Sequence, residues 1–149
     1  MPRVEYQPVR IASCQVSLRI GEPGQNRAAA AAAITEAAAL GARIVVLPEL
    51  TPSGYVFRDL AEARSLSEPA DGPTAADWRN LAARHGMVII GGFSELGEDG
   101  LLYNSAMLVD PSGVAPSTAR RTCGTPRPTS SLPAISRRRW SAQATARSR

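Results

Sequence analysis

Ala42-Arg43-Ile44-Val45-Val46-Leu47-Pro48-Glu49-Leu50-Thr51-Pro52-Ser53-Gly54-Tyr55 is the stretch on which the reading of this chain turns. Residues 42–47 form an almost continuous apolar run, the pattern of a strand covered on both faces. Pro48 stops the run, since it has no N–H to give a ladder. A carboxylate follows at once, and then a turn with Pro52 and Gly54. Ligands of α/β sheets gather at the C-terminal ends of strands. A partly desolvated Glu49 in that place suits general-base work. Taken alone, the stretch favours the plainer reading, a solvated loop acid after a strand.

The flanking sequence sets the fold class. Val9 to Val16 is short, apolar-rich and mostly alternating, which predicts a first strand. A Gly/Pro loop over 21–24 precedes Asn26, read as an N-cap, and an alanine-rich helix over Arg27–Leu40 that ends at Gly41. Beyond the turn, a short helix is expected over Asp59–Ser67. Pro73 opens another that runs to about His85, with Gly86 behind it. Met87–Phe93 (MVIIGGF) reads as a second buried strand. Asp99-Gly100 signals a hairpin whose return strand is Leu101–Val109. The predicted order is β-α-β-α-α-β-β, an α/β fold with a mainly parallel sheet and helices enough for about one face.

After Val114 the pattern changes. The chain carries seventeen Arg, no Lys and thirteen acidic residues. Residues 1–114 hold nine of the Arg and all thirteen acids, a net −4, whereas residues 115–149 hold eight Arg and no acid, a net +8. The second segment is rich in Arg, Ser, Thr, Pro and Ala without apolar periodicity, so composition predicts an unstructured tail. The expected organisation is a seven-residue extension, a domain over 8–114 and a tail over 115–149. One further reading of the tail is as a basic arm of a non-catalytic binding module, with Arg137–Trp140 contacting nucleic acid or a partner chain.

Other chemistries are disfavoured. Two cysteines, Cys14 and Cys123, and one histidine, His85, do not make a metal cluster. No apolar run has the length of a membrane span, and MPRVEYQPVR has no apolar core of a secretory signal, so the expected compartment is the cytoplasm. His85 reads as a helix-end residue. Ser53 lacks the G-x-S-x-G context of a nucleophile elbow. Gly91-Gly92 reads as a site of close packing or a bend, not of phosphate binding. Tyr55 and Asn104 read equally as pocket lining and as core or turn residues.

The motifs in order carry more than any one of them. A first strand with Ala12, Cys14 and Gln15, the Val46–Tyr55 stretch, Gly72-Pro73, His85-Gly86, Gly91-Gly92-Phe93-Ser94-Glu95, Tyr103-Asn104-Ser105-Ala106 and Asp110-Pro111-Ser112-Gly113 succeed one another at suitable spacing. Over residues 8–114 this resembles the N-terminal half of the nitrilase, or carbon–nitrogen hydrolase, superfamily. The resemblance implies an α-β-β-α sandwich and a Glu–Lys–Cys triad acting on a small amide, nitrile or carbamoyl substrate. It implies no cofactor and no metal, and a tendency to homo-oligomerise. Glu49 takes the general-base position, and Tyr55 a place in the substrate pocket. The family's lysine and cysteine follow further on, and here they have no counterpart. Cys14 lies upstream of Glu49 and reads as a small core residue; Cys123 has no nucleophile context. The expectation is therefore a base without a triad, an inactive chain, and exposed apolar sheet prone to aggregate.

The genetic code suggests an origin for the tail. When the last base of each codon is joined to the first two of the next, Pro116 to Gly124 permit the reading KYRKTHLW, which resembles the family's stretch around its lysine. Loss of one base near Ala115–Pro116 accounts for such a shift.

Overall fold

The computed structural model describes residues 7–114 and 118–121. Its elements are β1 (Ile11–Ser13), α1 (Pro23–Ala39), β2 (Ile44–Val46), α2 (Leu60–Ser65), α3 (Pro73–His85), β3 (Val88–Leu96), β4 (Leu102–Asp110), β5 (Gly113–Val114) and β6 (Thr118–Arg121). They form one mixed α/β sheet in the order β1-β2-β3-β4-β5, with β6 also paired to β4. β1, β2 and β3 are parallel neighbours, with Val45 in register with Ala12 and Ile89. The parallel register requires crossovers, which α1 and the α2–α3 segment supply. β3 and β4 form an antiparallel hairpin from Ile89↔Val109 to Leu96↔Leu102. Its turn carries Gly100 at φ 74°, a left-handed conformation that glycine adopts without penalty.

α1 forms because nine of its seventeen residues are alanine and, after Pro23 and Gly24, none is a helix breaker. Pro23 at the first turn sets the helical φ at no hydrogen-bond cost, and Gly41 at φ 80° turns the chain out. The start differs from the sequence expectation: the helix begins three residues before Asn26, so Asn26 does not cap it. Gly72 stands at the N-cap of α3, and Glu68 Oε2 accepts from Thr74 N at 2.8 Å in place of a cap side chain. Gly86 closes α3 in the left-handed region.

The alanine face of α1 brings Ala30, Ile34 and Ala37 against the sheet beside Trp78, Leu81 and Ala82 of α3. Val45, Ile89, Phe93, Met107 and Val109 complete this core from the strands. Each large apolar side chain so buried contributes about 1.5–3 kcal/mol. Gly91 lies under Trp78, where a Cβ would stand 2.3 Å from the indole Cη2, so the glycine lets the ring lie on the strand. The opposite face of the sheet presents Ile11, Val46, Ala106 and Leu108, all exposed.

Three sequence expectations are corrected. The first strand is only Ile11–Ser13, because the backbone leaves the sheet where β2 ends. β3 continues to Leu96, because the hairpin ladder holds it there. Residues 118–121, placed in the unstructured tail, form β6 against Tyr103–Ala106. The other calls on the tail, Cys123 and Arg137–Trp140 included, lie outside the described residues.

Candidate active site

Glu49 stands just past the C-terminal end of β2, and its backbone is fixed by β3. Leu47 N donates to Ile90 O at 2.8 Å, Gly92 N to Pro48 O at 3.1 Å, and Thr51 N to Gly92 O at 2.9 Å. Thr51 Oγ1 closes the turn on Pro48 O at 2.6 Å. This approach is so close that a Cβ on Gly92 would lie 2.7 Å from Glu49 Cα and 2.9 Å from Leu50 N. Leu50 takes φ 48°, the one positive φ of a non-glycine residue among those described. That conformation costs about 1–2 kcal/mol, and such outliers persist where surrounding structure over-determines them. Here burial does so: Leu50, Thr51 and Ser53 are all at most 9% exposed. Gly54, at φ 80°, then releases the chain toward Tyr55.

Two side chains bear on the Glu49 carboxylate. Asn104, the third residue of β4, donates from Nδ2 to Glu49 Oε1 in a short hydrogen bond. Tyr55 lies near enough for its phenol to respond. Burial first, and then the Glu49 charge, push the Tyr55 hydroxyl above its ordinary value, with hydrogen bonding to Glu49 acting in both directions. Glu49 itself is exposed. The desolvation expected from the sequence is therefore not provided by the described residues, which hold the carboxylate from behind and from one side. Arranged so, it can accept a proton from a group arriving on the open side of the sheet.

The remaining candidates separate from this site. Cys14 points to the helix side, its Sγ 4.0 Å from Ala33 O. Burial, and secondly the charge of Glu36, raise its thiol above the ordinary value, which disfavours the reactive thiolate. Ser53 is fully buried and its Oγ turns to Gly54 O at 3.3 Å. His85 closes α3, with Nε2 buried and unpartnered. Among the described residues no group of three His, Cys, Asp or Glu side chains could hold a metal ion. No helix among them is long and apolar enough to cross a membrane. Asn104 was legible only as an undecided residue. A carboxylate at a strand end and an amide 55 positions later become neighbours only through the hairpin register.

Comparison with known proteins places the chain in a family. The carbon-nitrogen hydrolase family profile matches residues 10–139, running past Val114 into the Arg-rich segment. A nitrilase of Pyrococcus abyssi is 37% identical over 106 residues, which cover 70% of this chain and 40% of that protein. The human deaminated glutathione amidase is 35% identical over 117 residues, covering 75% of this chain and 35% of the enzyme. A CN-hydrolase superfamily protein of Xanthomonas campestris, crystallised with an arsenic adduct in its active site, superposes with a TM-score of 0.68 at 31% identity. That match covers 78% of this chain and 42% of the other. The chain thus spans well under half the length of these relatives. With the family profile matched over most of its residues and the sheet matched in space, the chain belongs to the carbon-nitrogen hydrolase family.

Proposed function

We propose that this chain carries the general-base portion of a site for hydrolysing the C–N bond of a small amide or nitrile, with Glu49 as the base and Tyr55 lining the substrate pocket. The observation that carries the reading is Glu49 at the end of β2, one oxygen held by Asn104 and its charge felt by Tyr55. A carboxylate so placed takes the proton of an attacking thiol and returns it to the leaving nitrogen. No metal or organic cofactor enters this chemistry. The likeness in name to a nitrilase and an amidase supports the substrate class.

As it stands, the chain is proposed to be inactive. It has no lysine, and Cys14 faces the helices. The frame-shift origin of the tail gives both a reason and a remedy. In the shifted reading, the lysine before Thr-His-Leu falls across the codons of Ala119 and Arg120. Arg120 is the register partner of Asn104, the residue that holds Glu49. In the α-β-β-α arrangement proposed for the intact fold, a second sheet covers Ile11, Val46 and Leu108, and its approach desolvates Glu49.

Two measurements test this. Sequencing the DNA across codons 114–116 decides the frame; an authentic in-frame reading ends that part of the proposal. Hydrolysis of a panel of small amides and nitriles is expected to be absent for the present chain. It is expected to appear in the frame-restored chain and to be lost there in Glu49→Gln. Hydrolysis by the present chain that disappears in Glu49→Gln overturns the inactivity, and activity indifferent to Glu49→Gln in either chain overturns the role of the base.

A further inference from the structure

Asn26 lies in the first turn of α1, 1% exposed, and its side chain serves another part of the molecule. Oδ1 accepts from Arg19 N at 2.8 Å, while Nδ2 donates to Arg19 O at 2.7 Å and to Pro52 O at 2.9 Å. One amide therefore ties the loop before α1 to the far end of the Glu49 turn. The same seam is closed by Gly21 N donating to Ser53 O at 3.3 Å. At Gly54 a Cβ would lie 3.1 Å from Ile20 Cα, so loop and turn are in backbone contact. The near end of the turn is fastened to β3 through Gly92. Glu49 and the left-handed Leu50 lie between the two Gly92 hydrogen bonds, to Pro48 O and from Thr51 N, and the residue next after Thr51 is the Pro52 that Asn26 holds.

We propose that Asn26 is a positioning residue for Glu49: by holding Pro52 from the helix side it keeps the turn against β3 and so sets the carboxylate on Asn104 and Tyr55. This rests on Glu49 being the functional group of the site. Removing the amide strands the buried Pro52 carbonyl and takes one hydrogen bond from each main-chain group of Arg19, whose carbonyl keeps the one from Glu22 N. The turn recovers their hydrogen bonds most simply by swinging out to solvent, which lets Leu50 leave its strained conformation.

The Tyr55 phenol reports where the carboxylate is, without any need for turnover. In the full chain, its alkaline titration followed by NMR of 13C-labelled tyrosine, with Tyr55→Phe for assignment, is expected to lie above the ordinary phenol range. Glu49→Gln is expected to lower it. Asn26→Ser is expected to lower it by the same share and to add nothing in the Glu49→Gln background, with the helical circular dichroism retained. A Tyr55 titration unmoved by Asn26→Ser, or moved equally with and without the Glu49 carboxylate, overturns the proposal. If Asn26→Ser does not fold, hydrogen exchange in the unaltered chain decides. The amides of Arg19, Thr51 and Gly54 are expected to open together, and an Arg19 amide that opens independently of the other two overturns it. Absence of hydrolysis in every assay removes the function proposed for Glu49 but leaves this titration as it is, so the two failures are distinguishable.

Discussion

On the helix side of the sheet, Val45, Ile89, Phe93 and Val109 are completely buried, whereas on the opposite side Ile11, Val46 and Leu108 keep 61%, 36% and 37% of their surface exposed. The strands alternate in both directions, so the same backbone serves a finished core and an unfinished one. Stability is generated on the first face. The candidate site lies at the margin of the second, where Asn104 reaches Glu49. The folded first face suffices to hold Glu49 in place, while the open face sets its surroundings.

Four measurements test this contrast. Trp78→Ala, on the finished face, empties a site that is 1% exposed. A loss of about 3–5 kcal/mol is expected, a large share of the roughly 5–15 kcal/mol typical of a domain. Leu108→Ala in the same denaturant titration is expected to change stability by about 0.5 kcal/mol or less, and equal losses would mean that the open face is covered in solution. Gly92→Ala follows in size. Its Cβ meets Glu49 Cα and Leu50 N rather than a flexible side chain, so a cost of about 1–3 kcal/mol is expected, with loss of the Glu49–Asn104 contact in the Asn104 side-chain amide resonance.

Third, Val46→Lys with Leu108→Lys is expected to raise the concentration at which light scattering begins, since it breaks an exposed apolar patch, with little effect on the melting temperature. Unchanged scattering would place the sticky surface elsewhere. The smallest effect concerns Asp110 in the turn before β5. The hydroxyl and then the main-chain N–H of Ser112, with a lesser share from Gly113 N, hold its carboxyl below the ordinary value of 3.8. A depressed folded value means that the turn's contribution is present above the unfolded value and is lost as pH falls through the folded one. Ser112→Ala is expected to move the Asp110 titration up toward its ordinary value in a carboxyl NMR experiment, with no change at Tyr55.

Much of this was legible in the sequence, for identifiable reasons. The run at 42–47 marks a buried strand because five of its six residues are apolar, and Pro73 and Gly86 mark the ends of α3 because their backbones allow little else. Glu49 was visible because a carboxylate at the end of such a strand is unusual, and because the motifs after it recur in family order. Asn26 was misread. An Asn before an alanine-rich run looks like a cap, but Pro23 is the better first-turn residue, and the helix takes it. Nothing local says that an amide in the first turn will bond a carbonyl 26 residues away. Asn104 is hidden in the same way, since strand pairing brings it to Glu49. Gly91-Gly92 was readable as close packing, but not that each glycine answers to a different face.

That pair has a consequence for how the protein can change over generations. Gly91 admits the Trp78 ring on one side of β3, and Gly92 admits the Glu49 backbone on the other. Two adjacent codons thus pin the interior and the Glu49 turn to the same short length of chain. A mutation that thickens the strand at either position is felt by both, so a lineage cannot loosen its core there while preserving its carboxylate, nor retune the carboxylate while leaving the core alone. Drift at this point requires compensating changes in α3 and in the 48–54 turn together, and variants of this fold should explore new surroundings for Glu49 from the open face instead.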